Sequence, residues 1–132
     1  MGAAAAAGLA IGTVAAAQDT LSPDSFGAFA EGRTLHFTLD GLPFGAEQYF
    51  PGRRSRWRFE DGTCEEGVWW GAGELICFRY DGADGAQCWR FHGGPGGFTA
   101  ALVEDGTETG VVLEFSHADD NPLDCPGPDV GS

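Results

Sequence analysis

The sequence predicts an all-β domain, an antiparallel meander of about eight short strands closing into a small barrel or folding over as a sandwich, and stapled by disulfides. Three observations carry this. Apolar and polar residues alternate with a period of two over short runs such as Arg33–Leu39 and Arg54–Glu60. Asp-Gly and Gly-rich punctuation separates those runs: Asp40-Gly41, Asp61-Gly62, Gly71-Ala72-Gly73, Asp81 to Gly85, and Asp105-Gly106. No helical period long enough for a crossover lies between them, which excludes parallel βαβ topology.

Along the chain, Met1–Ala17 is uncharged and almost entirely Ala, Gly, Val, Ile and Leu. It ends in Ala15-Ala16-Ala17, the small residues a signal peptidase reads, although the basic stretch that usually precedes such a run is missing. The expectation is a signal peptide or apolar leader over 1–17 and a single β domain over 18–132. Ser22-Pro23-Asp24 has the chemistry of a helix start, so Gln18–Glu31 is an extended lead-in or a short helical turn, limited by Gly27. Arg33–Leu39 then puts Leu35, Phe37 and Leu39 on one face of a strand. A loop through Pro43 and Gly45 leads to a short strand over Glu47–Phe50.

Arg54–Glu60 faces Trp57 and Phe59 one way and Arg54, Arg56 and Arg58 the other. A two-residue turn at Asp61-Gly62 sets Phe59 opposite Cys64 and Arg58 opposite Glu65. The next strand runs to Trp70, and Trp69 and Trp70 must point to opposite faces of it. ELICFRY and QCWRFHG pair with Cys77 opposite Cys88 and Phe78 opposite Gln87, and Ile76, Phe78, Tyr80, Trp89 and Phe91 share a face suited to a core. Phe98–Val103 and Val111–Ser116 add two strands, and His117–Ser132 is an irregular acidic tail.

The four cysteines of this 132-residue chain read as two disulfides in an oxidising compartment, periplasmic or secreted. Shared facing favours Cys77–Cys88, which leaves Cys64–Cys125 to pin the tail. The other two pairings of the four remain open on sequence alone. Long spacings without a Cys-x-x-Cys pair argue against a metal site on the cysteines. Neither acidic segment, Asp81–Gly85 or Asp119–Asp124, has calcium-loop spacing, and no metal or cofactor is expected.

The net charge of −13, without a single lysine, disfavours nucleic acid and anionic lipid as partners. No span long and apolar enough for a membrane is expected after processing. His36, His92 and His117 are scattered and lack a nucleophile at recognisable spacing. A hydrolase built on His92 with Asp84 or Glu114 is therefore the weakest alternative, and the expected class is non-enzymatic.

The stretch Gly32–Phe91 resembles uncharacterised small exported β-domain proteins of proteobacteria: Trp57 and Phe59 before Asp61-Gly62, then Gly67-Val68-Trp69, then Cys77. The resemblance implies fold and export and carries no activity. Two functions follow as expectations. In one, the barrel holds a small apolar or aromatic ligand through Trp57, Phe78 and Trp89. In the other, an outer face bearing Trp69 or Trp70 with Arg54, Arg56 and Arg58 docks on another protein, as an inhibitor or an envelope-complex subunit. The Arg cluster has a plainer role too, neutralising Glu60, Glu65, Glu66 and Glu74. An exposed Trp beside Tyr49 or Phe50 would mark a ligand mouth or contact patch.

Overall fold

The computed structural model describes residues 19–126; the leader expected over 1–17 lies outside them. After one helix, α1 (Pro23–Ala30), the chain forms β1 (Thr34–Leu39), β2 (Leu42–Phe50), β3 (Arg54–Phe59), β4 (Cys64–Ala72), β5 (Leu75–Tyr80), β6 (Gln87–Gly94), β7 (Gly97–Glu104) and β8 (Thr107–Asp119). Each strand pairs antiparallel with its successor, and β8 returns to β1, so the eight strands close into a barrel. Of the two architectures the alternation allowed, the barrel is the one formed. Closure leaves no free sheet edge.

The connections decide the register. At Asp40-Gly41 and Asp105-Gly106 both residues have positive φ and the flanking residues pair directly, Leu39 with Leu42 and Glu104 with Thr107. These are two-residue turns of the type whose twist matches the strands. The expected loop through Pro43 and Gly45 is thus strand, and a bulge between Phe37 and Thr38 absorbs the irregularity.

Asp61-Gly62 corrects the expected register. Gly62 N–H donates to the Phe59 carbonyl and Phe59 N–H to the Thr63 carbonyl, while only Gly62 takes positive φ, at 93°. The loop is therefore three residues with glycine in the left-handed position, and Asp61 fastens it by accepting from Thr63 N–H at 2.8 Å. Arg58 consequently faces Cys64, and Arg56 faces Glu66. The β5–β6 pairing is as expected, with Cys77 opposite Cys88 and Phe78 opposite Gln87.

Helix α1 is longer than a turn. Ser22 caps it by accepting from Ser25 N–H, Pro23 begins it and Asp24 sits in its first turn. Its buried residues Phe26 and Ala30, with Phe29 beside them, are spaced to form one face. That face plugs one end of the barrel: the Phe26 ring meets Tyr49, Trp69, Phe91 and Phe98 at 4.7 to 6.2 Å, all edge-on.

Strand β8 continues through His117 to Asp119, further than expected, and only then does the tail become irregular. It crosses the outside of the barrel as a strap. Asn121 accepts from Thr34 on β1, Leu123 N–H donates to Gln48 on β2, and the Asp124 carbonyl accepts from Arg58 on β3. Cys125 then bonds Cys64 on β4. The second disulfide is Cys77–Cys88 across β5 and β6. With sequence separations of 61 and 11, loop-closure entropy assigns the strap about 4 kcal/mol and the hairpin bridge about 3 kcal/mol.

Candidate functional site: the open end of the barrel

Opposite the helix plug, side chains do not fill the interior. A cavity of about 460 Å³ is lined by Phe37, Phe44, Glu47, Tyr49, Trp57, Phe59, Glu65, Phe78, Tyr80, Trp89, Phe91, Leu102 and Leu113, among others. It reaches the β5–β6 connection, where Ala83 to Gln87 form its rim. This volume lies in the range of small-molecule sites, about 300–1,000 Å³. Period-two alternation supplies the walls, since every second residue of each strand points inward.

Two inward glycines make room for the large rings. A Cβ on Gly45 would stand 2.2 Å from the Trp57 indole, and one on Gly67 would stand 2.7 Å from the Tyr80 ring. Neither approach is possible for a residue with a side chain. Trp57 and Tyr80 therefore lie flush against the wall instead of filling the lumen.

One acid is set deep in this apolar wall. Glu47 is 3% exposed, and its carboxylate accepts from Tyr80 Oη at 2.7 and 2.9 Å and more distantly from Tyr49 Oη at 3.5 Å. Burial pushes its pKa from 4.5 up to about 7, against the opposing pull of Tyr80, Ser55 and Tyr49; the charge of Glu65 adds to the rise. Burial, followed by the Glu47 charge, also raises Tyr49 and Tyr80 well above the usual phenol range. Ser55, on the neighbouring strand, is close enough to help hold the carboxylate down, yet its buried Oγ has no hydrogen bond of normal geometry. The site thus couples a wide aromatic surface to a desolvated carboxyl group held by phenols.

The structure separates the residues that the sequence nominated. Trp57, Phe78 and Trp89 come together on the cavity wall. Trp69 also points inward, but it packs beneath α1 with the Arg53 guanidinium 4.3 Å above its ring. Trp70 points out and is 36% exposed, next to Val68 at 46% on the same outer face. Tyr49 is no exposed rim residue: at 2% exposure it belongs to the interior.

The arginines face outward and do not form a single fork. Arg56 pairs with Glu66, Arg58 holds the tail through Asp124, and Arg54 and Arg56 lie over the Phe50 ring. Neutralisation by neighbouring acids thus holds for Glu66, while Arg58, expected opposite Glu65, is committed elsewhere. Glu47 was missed, although its signal was present: Tyr49 and Glu47 share strand parity, so an inward Tyr49 implies an inward Glu47.

Two histidines that look scattered in sequence are gathered on the outer wall. The His36 and His117 rings stack 4.2 Å apart, and His36 Nε2 meets Asp119 Oδ2 at 2.9 Å. Ligand atoms of these three residues lie within 4.8 Å of one another, a spacing that can hold a metal ion. In the structure, however, Asp119 is already engaged by His36 and by Asn121 N–H. His92 is paired with Glu108 at 2.9 Å, whereas Glu114 accepts from Thr38 and Gly41 and Asp84 stands on the cavity rim. The acid partners considered for a His92 hydrolase are therefore occupied or placed elsewhere.

No helix among the described residues is long and apolar enough to cross a membrane. Compared with known proteins, the chain matches no family model, no curated protein and no solved structure.

Proposed function

We propose that this protein is an exported, non-enzymatic binding module of the bacterial envelope, periplasmic or secreted, that holds a small apolar or aromatic ligand inside its barrel. The observation that carries the reading is the aromatic-walled cavity of about 460 Å³, open at one end and plugged at the other by α1. A domain of this size gains stability by filling its core, and an unfilled lumen forgoes that gain. The two disulfides support an oxidising compartment.

N-Phenyl-1-naphthylamine, a neutral aromatic dye, tests the reading. Its fluorescence should rise saturably on the oxidised protein, with one site per chain. Ala86→Trp, a substitution on the exposed rim, should weaken it at least tenfold, and Trp70→Ala should leave it unchanged. Absence of saturable binding would overturn the reading.

A second reading rests on the exposed outward pair Val68 and Trp70 on β4, a surface suited to docking on a protein. Dye binding lost in Trp70→Ala but kept in Ala86→Trp would favour it.

A further inference from the structure

Resting on the interior-site reading, we propose that the ligand is a protonated amine on an aromatic or apolar body, with its ammonium group directed to the Glu47 carboxylate. The distribution of charge points this way. Among the described residues, the charged side chains on the cavity wall and rim are all acidic: Glu47, Glu65 and Asp84. No Arg or His of the described residues lines the cavity, and the chain contains no lysine.

On the outer wall water solvates the carboxylates, and some of them also meet a cation. Glu66 is met by Arg56 and Glu108 by Arg90 and His92, while neither Glu47 nor Glu65 has a cationic partner among the described residues. A desolvated carboxylate is costly unless it is paired. Inside the barrel, the bound ligand is what can supply the missing cation.

The surrounding surface suits the same chemistry. Trp57, Phe78, Tyr80 and Trp89 line the lumen, and aromatic rings attract cations most strongly where water is excluded. A carboxylate or phosphate ligand would meet like charges at Glu47, Glu65 and Asp84, with no guanidinium or ammonium to hold it.

Three naphthalenes of nearly equal size separate the alternatives: 1-naphthylmethylamine, 1-naphthylmethanol and 1-naphthoate, titrated into the oxidised full chain by calorimetry at pH 8. The amine should bind at least tenfold more tightly than the alcohol, and the carboxylate should not bind measurably. Glu47→Gln should abolish the amine's preference while keeping the alcohol's affinity. That variant lowers the magnitude of the net charge by only one unit, so attraction by the whole acidic protein would survive it. Circular dichroism checks that it folds, and Glu65→Gln, nearer the rim, should reduce the preference less.

Alcohol binding as tight as amine binding, or an amine preference unchanged in Glu47→Gln, would overturn the amine assignment while leaving the interior site standing. Failure of all three naphthalenes together with the neutral dye would overturn both.

Discussion

Glu47 shows how one buried residue can tie a fold's stability to pH. Its pKa rises from 4.5 to about 7 on folding, chiefly through burial. Between those values the native state binds more protons than the unfolded chain, so stability is greatest below the unfolded value and falls as pH rises through the folded one. The shift corresponds to about 3 kcal/mol lost between pH 4.5 and pH 8. The groups facing Glu47 are Tyr49 on its own strand, Ser55 on β3, Glu65 on β4 and Tyr80 on β5. Tyr49 and Tyr80, whose pKa values are raised by burial, stay neutral across the window.

Urea unfolding of the wild type and Glu47→Gln across that range should show the gap between them shifting by about 3 kcal/mol in favour of the variant at the alkaline end. A constant gap would mean that Glu47 is ionised throughout. Asp61, Glu108, Glu114 and Asp119 have lowered pKa values, so their contribution is lost as pH falls, below this window. The Glu47 position was legible from strand parity. Its hydrogen bonds were not, because they depend on Tyr80, which is 33 residues away in sequence.

At the scale of elements, the barrel's two ends divide the labour. Helix α1 closes one end through Phe26, which has no exposed surface and is ringed by four aromatic side chains. Phe26→Ala should cost about 3–5 kcal/mol in urea unfolding, and the half-buried Phe29→Ala markedly less. Equal costs would mean that the helix rests on the barrel without plugging it. The helix start was visible in Ser22-Pro23-Asp24. Its role as a plug was not, since period-two patterns do not reveal which end of a barrel stays empty.

Turn chemistry was legible in part. Three of the five Asp-Gly pairs differ in the turn they make: Asp40-Gly41 and Asp105-Gly106 form two-residue turns, and Asp61-Gly62 closes a three-residue loop. The difference lies in whether Asp takes positive φ, which the dipeptide alone does not determine. A one-residue slip at that loop moved Arg58 from Glu65 to Cys64.

For the whole molecule, alternation, cysteine count and turn spacing specified an all-β meander, and the closed barrel satisfies each of them. What they left open was the interior. Whether inward Trp, Phe and Tyr residues meet across the axis or line a void depends on glycine positions and ring tilt. Gly45 and Gly67 set Trp57 and Tyr80 against the wall; Gly45 was expected in a loop and Gly67 in a strand, and alternation alone marks neither as clearance for a ring. Charge follows the same inside–outside division: among the described residues Arg and His stay off the lumen wall, whose charged side chains are all acidic, on a chain of net charge −13.

The central claim is that the lumen, and not the outer wall, receives the ligand. Intermolecular nuclear Overhauser contacts from bound N-phenyl-1-naphthylamine test it most directly. The dye protons should contact Phe78, Tyr80, Leu102 and Leu113, all on the cavity wall. Contacts to Val68 and Trp70 on the outside of β4, with none to those four, would contradict it.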